Sequence, residues 1–554
     1  MTRGARGALG TAIRGQWRPV SASAVLSALH QGAEALVPVL IGLVLDEAVT
    51  TRSPDRFALL IAVLGAVFLV LATSFRQGAR LGERASHLAA HQLRLDLSRR
   101  VLDPRGGAES DRLPGELVNI ATNDAKRVGA VNLALPIGLA ALCGLLVAAV
   151  ALLRISAVLG LVVLLGTPLL LFLAHLLGRP LERRGAAEQE RAARASGMAA
   201  DLVSGLRVLK GIGAVPAAVA RYRDTSARSL HATLRAARAK AWHDGGMLVA
   251  TGVLIAVIAL VGGRLAARGE ISVGGLVAAV GLAQFLLGPL QTFSFVNGDL
   301  ALARASAERI DAVLRAPGAV RAGTARLHRP ARGELRVRVG LGGSRVDFEA
   351  APGELTGVVT GDPRLAAALL ACLGRETDPD SGSVELDGQD IAAVDVPELR
   401  AALLVAAHDA DLFEESVHDN ITAGAPRPEL DRALTASAAD EVIRALPEGA
   451  GTVLAERGRS LSGGQRQRVA LARALAAAAP VLVLHDPSTA VDAVTEARIA
   501  EGIRQVRTGR TTLLVTTSPA LLSVADRVVF ADSGAVAPHA QLLADPDYRA
   551  VVLA

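Results

Sequence analysis

Six stretches of this chain, at roughly 20–46, 57–76, 130–153, 156–178, 245–266 and 272–297, are long and apolar enough to be membrane spans. A bilayer core of about 30 Å takes about 20 helical residues, and inside it each backbone amide must be satisfied within the protein. Composition agrees: the 554 residues are 51% apolar and only 20% charged, with mean hydropathy +0.39, too apolar for a soluble protein of several domains. The links near 47–56, 154–155 and 267–271 are short, whereas 77–129 and 179–244 are long, Arg-rich and helical in pattern. Basic links mark the cytoplasmic side, so Arg3, Arg6, Arg14 and Arg18 place the N-terminus inside, and an even number of spans returns the C-terminus there. The basic N-terminal stretch is not a cleaved signal, because no small-residue site follows an apolar run of the right length; Trp17 marks the interface. A helix running on from Phe57 to Leu102 reaches about 70 Å, well past the bilayer.

Charge narrows the partners. The net +6 comes mostly from Arg beside apolar spans, which suits anionic headgroups, and aromatics at 3% leave no stacking surface for nucleic acid. Cys143 and Cys372, far apart, read as two free thiols, and no metal-ligand cluster is expected. Scarce Lys beside abundant Ala, Arg, Gly and Leu fits a high-GC bacterium, hence a multi-pass protein of the bacterial plasma (inner) membrane with both termini cytoplasmic.

Beyond the spans the pattern changes. Pro, Gly, His and Arg interrupt it from about Pro317 to Pro330, giving boundaries of 1–316 for the membrane domain, 317–331 for a linker and 332–554 for a C-terminal domain. The runs at 358–360, 481–485 and 512–517 read as buried parallel strands with helices between them. The stretch ERGRSLSGGQRQRVALARAL at 456–475 places Leu461, Ser462, Gly463, Gly464 and Gln465 at the start of a helix. Two adjacent glycines let that backbone come close to a phosphate, and a helix N-terminus favours an anion.

LSGGQ followed by QRVALARAL resembles the signature motif and helix of an ATP-binding cassette (ABC) protein. From about residue 15 to 554 the chain resembles an ABC half-transporter of the exporter type, the type IV fold. PGELVNIATNDAKRV at 114–128 and DLVSGLRVLKGIGA at 201–214 match the family's patterns around its coupling helices; ISVGGLVAAVGLAQFLLGPL at 271–290 and ASAERIDAVL at 305–314 match its sixth helix and exit. The resemblance implies a membrane domain of six long transmembrane helices fused to an α/β P-loop-type nucleotide-binding domain. It also implies ATP and Mg²⁺ as cofactors. Glu456, with Arg457 and Gly458, corresponds to the loop that touches the coupling helices, and Asp492 to the D-loop carboxylate.

The departures from the family pattern carry as much information. A phosphate loop needs a Lys for the β/γ oxygens and a hydroxyl for Mg²⁺, yet residues 352–373 contain no Lys. Gly361 survives there, while Ala367, Ala368 and Leu369 stand about where Lys, Ser and Thr belong. His485 stands in place of the metal-binding Asp, Asp486 in place of the catalytic Glu, Thr517 in place of the switch His and His408 in place of the Gln that couples metal and water to the membrane helices. This chain keeps what serves the opposite nucleotide and has lost what serves its own. The resemblance therefore implies a degenerate-site half of a heterodimer, whose partner half-transporter carries intact Walker motifs and a damaged signature. Two alternatives stay open: a non-transporting regulatory pseudo-ATPase, and an importer, for example of siderophores, built on the exporter fold.

Substrate residues are the least legible. His30, Gln31 and Glu34 interrupt the first apolar span, and Gln284, Phe285, Gln291, Phe295 and Asn297 lie in the sixth. Polar groups at membrane depth either meet a substrate or hold helices together. A small molecule, a lipid or a peptide all fit.

Overall fold

The computed structural model describes residues 7–50, 53–110, 112–328, 330–408, 411–423 and 429–553; Arg3 and Arg6 lie outside them. The chain divides into two compact units, Met1–Leu97 with Gly115–Ala312, and Ser98–Pro114 with Val313–Ala554.

The first unit is helical. A short α1 (Ala8–Gly15) leads into α2 (Trp17–Thr50) and α3 (Pro54–Val101); α4 (Pro114–Asn119) runs through one π turn, Ile120–Asp124, into α5 (Ala125–Ile155). Then come α6 (Ala157–Ser204), a short α7 (Leu206–Gly211), α8 (Val215–Ala267) and α9 (Val273–Leu314). Five of these segments are long and apolar enough to cross a membrane, while the described apolar run of α6 is shorter, Ala157–Leu170. Interior prolines sit in α2 (Pro38), α5 (Pro136), α6 (Pro168, Pro180) and α9 (Pro289). In α3 and α8 the prolines are confined to the first turn, where no amide is lost from the helix ladder.

Helices approach most closely where side chains are missing. A Cβ on Gly42 of α2 would lie 2.4 Å from the Gly274 carbonyl oxygen of α9. One turn beyond, Asp46 accepts from the Ser272 hydroxyl (2.6 Å) and the Gly274 amide (2.8 Å), so α2 supplies the cap for the start of α9. A second tie fixes the π turn. The buried Asp124 carboxylate takes two hydrogen bonds of 2.7 Å from Arg309 and one of 2.9 Å from the Ser306 hydroxyl, both on α9.

The second unit carries two sheets. β1 (Leu335–Leu341), β2 (Ser344–Ala350), β4 (Ser381–Leu386) and β5 (Gln389–Asp390) form an antiparallel sheet in the order β2-β1-β4-β5. β3 (Leu355–Val359), β6 (Leu403–Ala406), β7 (Val481–His485), β8 (Thr511–Val515), β9 (Arg527–Phe530) and β10 (Ala535–Ala537) form the other, in the order β10-β9-β3-β8-β7-β6. All its pairs are parallel except β9 with β10. Helices between the strands cover both faces, so β3 and β8 are buried along their whole length, Thr356, Thr511 and Thr512 included. Between β3 and β9 the helices run in chain order as α10 (Pro363–Leu373), α11 (Val396–Ala402), α12 (Val417–Thr422), α13 (Leu430–Ala436), α14 (Ala439–Ala445), α15 (Gly463–Ala476), α16 (Ala493–Val506) and α17 (Pro519–Ser523). Residues 98–114, which fall inside the expected 1–316 domain, group with this second unit. Arg100 donates to the carbonyls of Gly106 (3.0 Å), Ala316 (2.8 Å) and Pro317 (3.0 Å), and the Ala319 amide donates to the Arg105 carbonyl at 3.0 Å.

The Asp124 pair gives a stability test. Arg309→Met leaves the carboxylate, 1% exposed, buried without its cation, an expected loss of about 3 kcal/mol. Thermal unfolding in detergent should show a clear drop in midpoint, with Arg309→Lys falling between the variant and wild type.

Candidate functional site

The parallel sheet gathers its functional loops at the carboxyl ends of its strands, the usual crevice of open α/β sheets. Two helix N-termini in this unit are candidates to meet a phosphate, and their first amides are satisfied in opposite ways.

At α15 the cap is neutral. Ser462 Oγ accepts from the Gln465 amide (3.3 Å) and Gln465 Oε1 accepts from the Ser462 amide (2.9 Å), a reciprocal capping box. Leu461 is buried and anchors the turn, while Ser462 and Gly463 stay exposed. Gly464 has no room for a side chain, since a Cβ there would sit 2.6 Å from the Ala490 carbonyl oxygen. Gln467 locks this turn to the loop after β7, donating to Thr489 Oγ1 (2.9 Å) and accepting from the Ala490 amide (2.8 Å). That loop ends at Asp492, which caps α16 by accepting from the Val494 and Thr495 amides at 3.1 and 3.0 Å. Glu456 opens a single 3₁₀ turn, Glu456–Gly458, and is exposed.

At α10 the cap is acidic. Only Thr360, Gly361 and Asp362 separate β3 from the helix, because Asp362 caps it and Pro363 is its first residue. Asp362 Oδ1 accepts from the Arg364 amide at 2.9 Å. Asp532, in the turn between β9 and β10, accepts from the Gly361 amide (2.8 Å) and the Thr360 hydroxyl (2.6 Å). Two carboxylates therefore occupy the donors that a phosphate would need. Ala367 and Ala368 lie inside α10, in its second turn and past the loop, so a strand-to-helix connection this short keeps them out of it.

The remaining residues line the same sheet edge. His485 ends β7, His408 follows β6, and their rings stand 5.8 Å apart, edge to face. Asp486 is held at φ 42°, a left-handed conformation that is costly for a residue with a side chain, and its carboxylate lies 3.6 Å from His485 Nε2. His408 Nδ1 lies 3.5 Å from both the Asp486 carbonyl oxygen and Thr489 Oγ1. Burial pushes the His485 imidazole below its usual value; Asp486 opposes that shift and His408 adds to it. Thr517 follows β8 and is exposed. Glu496, which sequence reasoning passed over, ties this edge together by accepting from the hydroxyls of Ser488 and Ser518, each at 2.8 Å.

Comparison with known proteins matches this arrangement to two family models. The ABC transporter transmembrane region matches residues 20–290, and the ABC transporter cassette model matches residues 344–489. The chain belongs to the ABC transporters. It is 33% identical over 517 residues to a multidrug efflux ATP-binding/permease protein of Mycobacterium tuberculosis, covering 90% of this chain and 43% of that protein. The chain thus spans less than half of the length of that relative. An ATP-dependent lipid A-core flippase of Thiobacillus denitrificans is 29% identical, with 68% of each chain covered. The solved structure of a bacterial Atm1-family ABC exporter with ATP bound superposes with a TM-score of 0.78 over 97% of this chain and 98% of its own, at 22% identity, which shows the shared fold.

In this ABC transporter chain, the residues expected at membrane depth fall into separate places. His30 Nδ1 lies 3.0 Å from the Leu71 carbonyl oxygen and its ring 5.0 Å from that of Phe75, both on α3. Gln31 Nε2 donates to Glu34 Oε2 at 2.6 Å. A Cβ on Gly144 of α5 would meet Gln31 Oε1 at 3.0 Å and Phe285 Cζ at 3.1 Å, so Gln31 and Phe285 converge there. Gln284, Gln291, Phe295 and Asn297 are exposed along α9 and join no such cluster.

Two predictions follow from the cassette geometry. Asp532→Ala removes the exposed hydrogen bond to the Gly361 amide, which water can replace, so its expected cost is below about 1 kcal/mol in cassette stability, read as a small drop in the thermal unfolding midpoint. His485 has a folded pKa below its unfolded value, so the unfolded chain takes up the proton first and stability falls as pH drops through about 6.5. The variant His485→Gln should lose less stability than wild type between about pH 7.5 and 5.5.

Proposed function

We propose that this chain is one half of a heterodimeric ABC transporter, lending its signature turn to a single working nucleotide site built on a partner. The observation that carries this reading is the contrast between the two helix N-termini. The turn Leu461–Gln465 is fully formed and its cap is uncharged, so the N-terminus of α15 keeps its attraction for an anion. The loop Thr360–Asp362 is closed by Asp362 and Asp532, and residues 352–373 offer no Lys. The residues at the α10 end do not fit Mg-ATP, because two carboxylates meet the polyphosphate where a cation is needed. At the α15 end they do fit: exposed Ser462 and Gly463, followed by Gly464, leave the approach to the first turn unobstructed.

In the division of labour that follows, the partner supplies the phosphate loop with its Lys, the metal-binding Asp, the catalytic Glu and the switch His. Mg-ATP held there provides the free energy of phosphoryl transfer. This chain's signature turn orients and closes over the γ-phosphate through backbone amides, Gln467 keeps the turn registered with the loop at Thr489–Ala490, and Asp492 holds the following helix. Its own sheet edge, with His485 and Asp486 in place of the usual carboxylate pair, performs no hydrolysis. The M. tuberculosis relative, of which this chain spans 43%, has length enough for a second half in the same polypeptide, which suits a paired architecture. That relative is a multidrug efflux protein and the other two are a flippase and an exporter, which favours export as the direction. The setting is the bacterial inner membrane with both termini cytoplasmic, and the substrate lies among small molecules, lipids and peptides.

The test is Mg-ATP turnover in lipid by the chain alone, by the chain co-expressed with a candidate half-transporter, and by the Ser462→Arg variant of that pair. The expected pattern is no turnover alone, turnover with the partner and at least a hundredfold loss in the variant. Robust turnover by the chain alone would refute the proposal.

A further inference from the structure

Beyond their apolar runs α6 and α8 continue side by side, packed through a stripe of small residues on α8: Ala232, Ala236 and Ala239, at 2%, 5% and 5% exposure. Beside this stripe a cleft of about 470 Å³ opens between the two helices. Arg191 of α6 and Arg228, His231, Leu234, Arg235 and Arg238 of α8 line it. Positions 228, 231, 235 and 238 recur every three to four residues, so the helix period presents them on one face.

Their charge is largely uncompensated. Arg228 is paired with Asp224, and Arg194, one turn from Arg191, is paired with Glu190. Arg235 Nε donates to the His231 carbonyl oxygen at 3.2 Å. Among the described residues, Arg191, Arg235 and Arg238 have no carboxylate partner. Arg228, Arg235 and Arg238 are exposed and Arg191 is half-buried, yet all four line one concavity from two helices. Cations gathered in one cleft add up to a positive potential that attracts anions, and guanidinium forks match phosphate oxygens in pairs.

We propose that this cleft is a binding site for a phosphate-bearing anion, free in water or carried on a lipid headgroup. The inference stands apart from the heterodimer reading and from the signature turn. Position distinguishes the two sources. Arg238 lies seven residues before the apolar run at 245, about 10 Å along the helix, and Arg191 thirteen residues past the run ending at 178, about 20 Å. Headgroups extend about 5–8 Å beyond the hydrocarbon core. A lipid phosphate therefore meets Arg238 first, whereas a soluble polyphosphate can engage the whole cleft.

The experiment uses the full chain in nanodiscs. In the first arm, phosphatidylcholine discs are titrated with inorganic pyrophosphate by calorimetry; in the second, phosphatidylglycerol retained by the protein is counted by native mass spectrometry. The Arg191→Gln/Arg235→Gln/Arg238→Gln variant should weaken pyrophosphate binding or lipid retention at least tenfold. Arg223→Gln, on the same helix outside the cleft, should leave both unchanged, and Arg235→Lys should stay within about threefold of wild type, showing that the fold is intact. Retention of phosphatidylglycerol lost on Arg238→Gln alone, without pyrophosphate binding, assigns the site to lipid. Pyrophosphate binding lost only in the triple variant assigns it to a soluble anion. Wild-type behaviour of the triple variant in both arms, or no binding by wild type in either, overturns the proposal.

Discussion

The first amides of a helix have no partner inside the helix and must find one elsewhere. In the cassette of this chain that single requirement is met in two incompatible ways. At α15 the partners are a hydroxyl and a side-chain amide, which satisfy donors without cancelling the positive end of the helix. At α10 the partner is a carboxylate, that of the preceding residue Asp362, and a second carboxylate, Asp532 from the turn after the neighbouring strand β9, takes the loop amide of Gly361, so negative charge faces that end of the helix. One cassette thus presents one helix N-terminus with a neutral cap and one faced by two carboxylates.

In the membrane half the constraint takes another form. Backbone groups of α2 and α9 come so close at Gly42 and Gly274 that neither position admits a side chain. The polar groups in this bundle answer to one another: Asp46 serves the start of α9, and Asp124 draws Arg309 and Ser306 onto the π turn ahead of α5. These carboxylates hold helices in register, which is a structural employment of charge rather than a transport one. Gln31 and Phe285, from the expected substrate residues, both approach Gly144, where a side chain would meet each of them.

Much of this was legible in the sequence. Periodicity and length gave the long helices, and LSGGQ gave the capped turn because Ser and Gln three residues apart specify a capping box. Three of the central strands could be read as apolar runs because both of their faces are covered. What escaped was whatever depends on pairing across sequence distance. Nothing in DSG at 532–534 says that Asp532 reaches a loop 171 residues earlier, and Glu496 reads as an ordinary first-turn acid until Ser488 and Ser518 are seen beside it. Counting along the chain also does not show that Asp362 and Pro363 start α10, which puts Ala367 and Ala368, expected about where Lys, Ser and Thr belong, in its second turn. The segment 98–114 is of the same kind: continuous in sequence with α3, it groups with the other compact unit.

The unbroken helices deserve a mechanical reading. Of the long helices, α3 and α8 have no proline beyond the first turn, so neither contains the joint at which a helix ordinarily bends. At 1.5 Å per residue the 53 residues of α8 make a rod of about 80 Å. A tilt of about 5° at one end displaces the other by about 7 Å, more than the rise of one helical turn. A rod of that length converts a small angular change at its water-exposed end into a side-chain-sized displacement within the bilayer, and its proline-bearing neighbours, with places to flex, can yield around it.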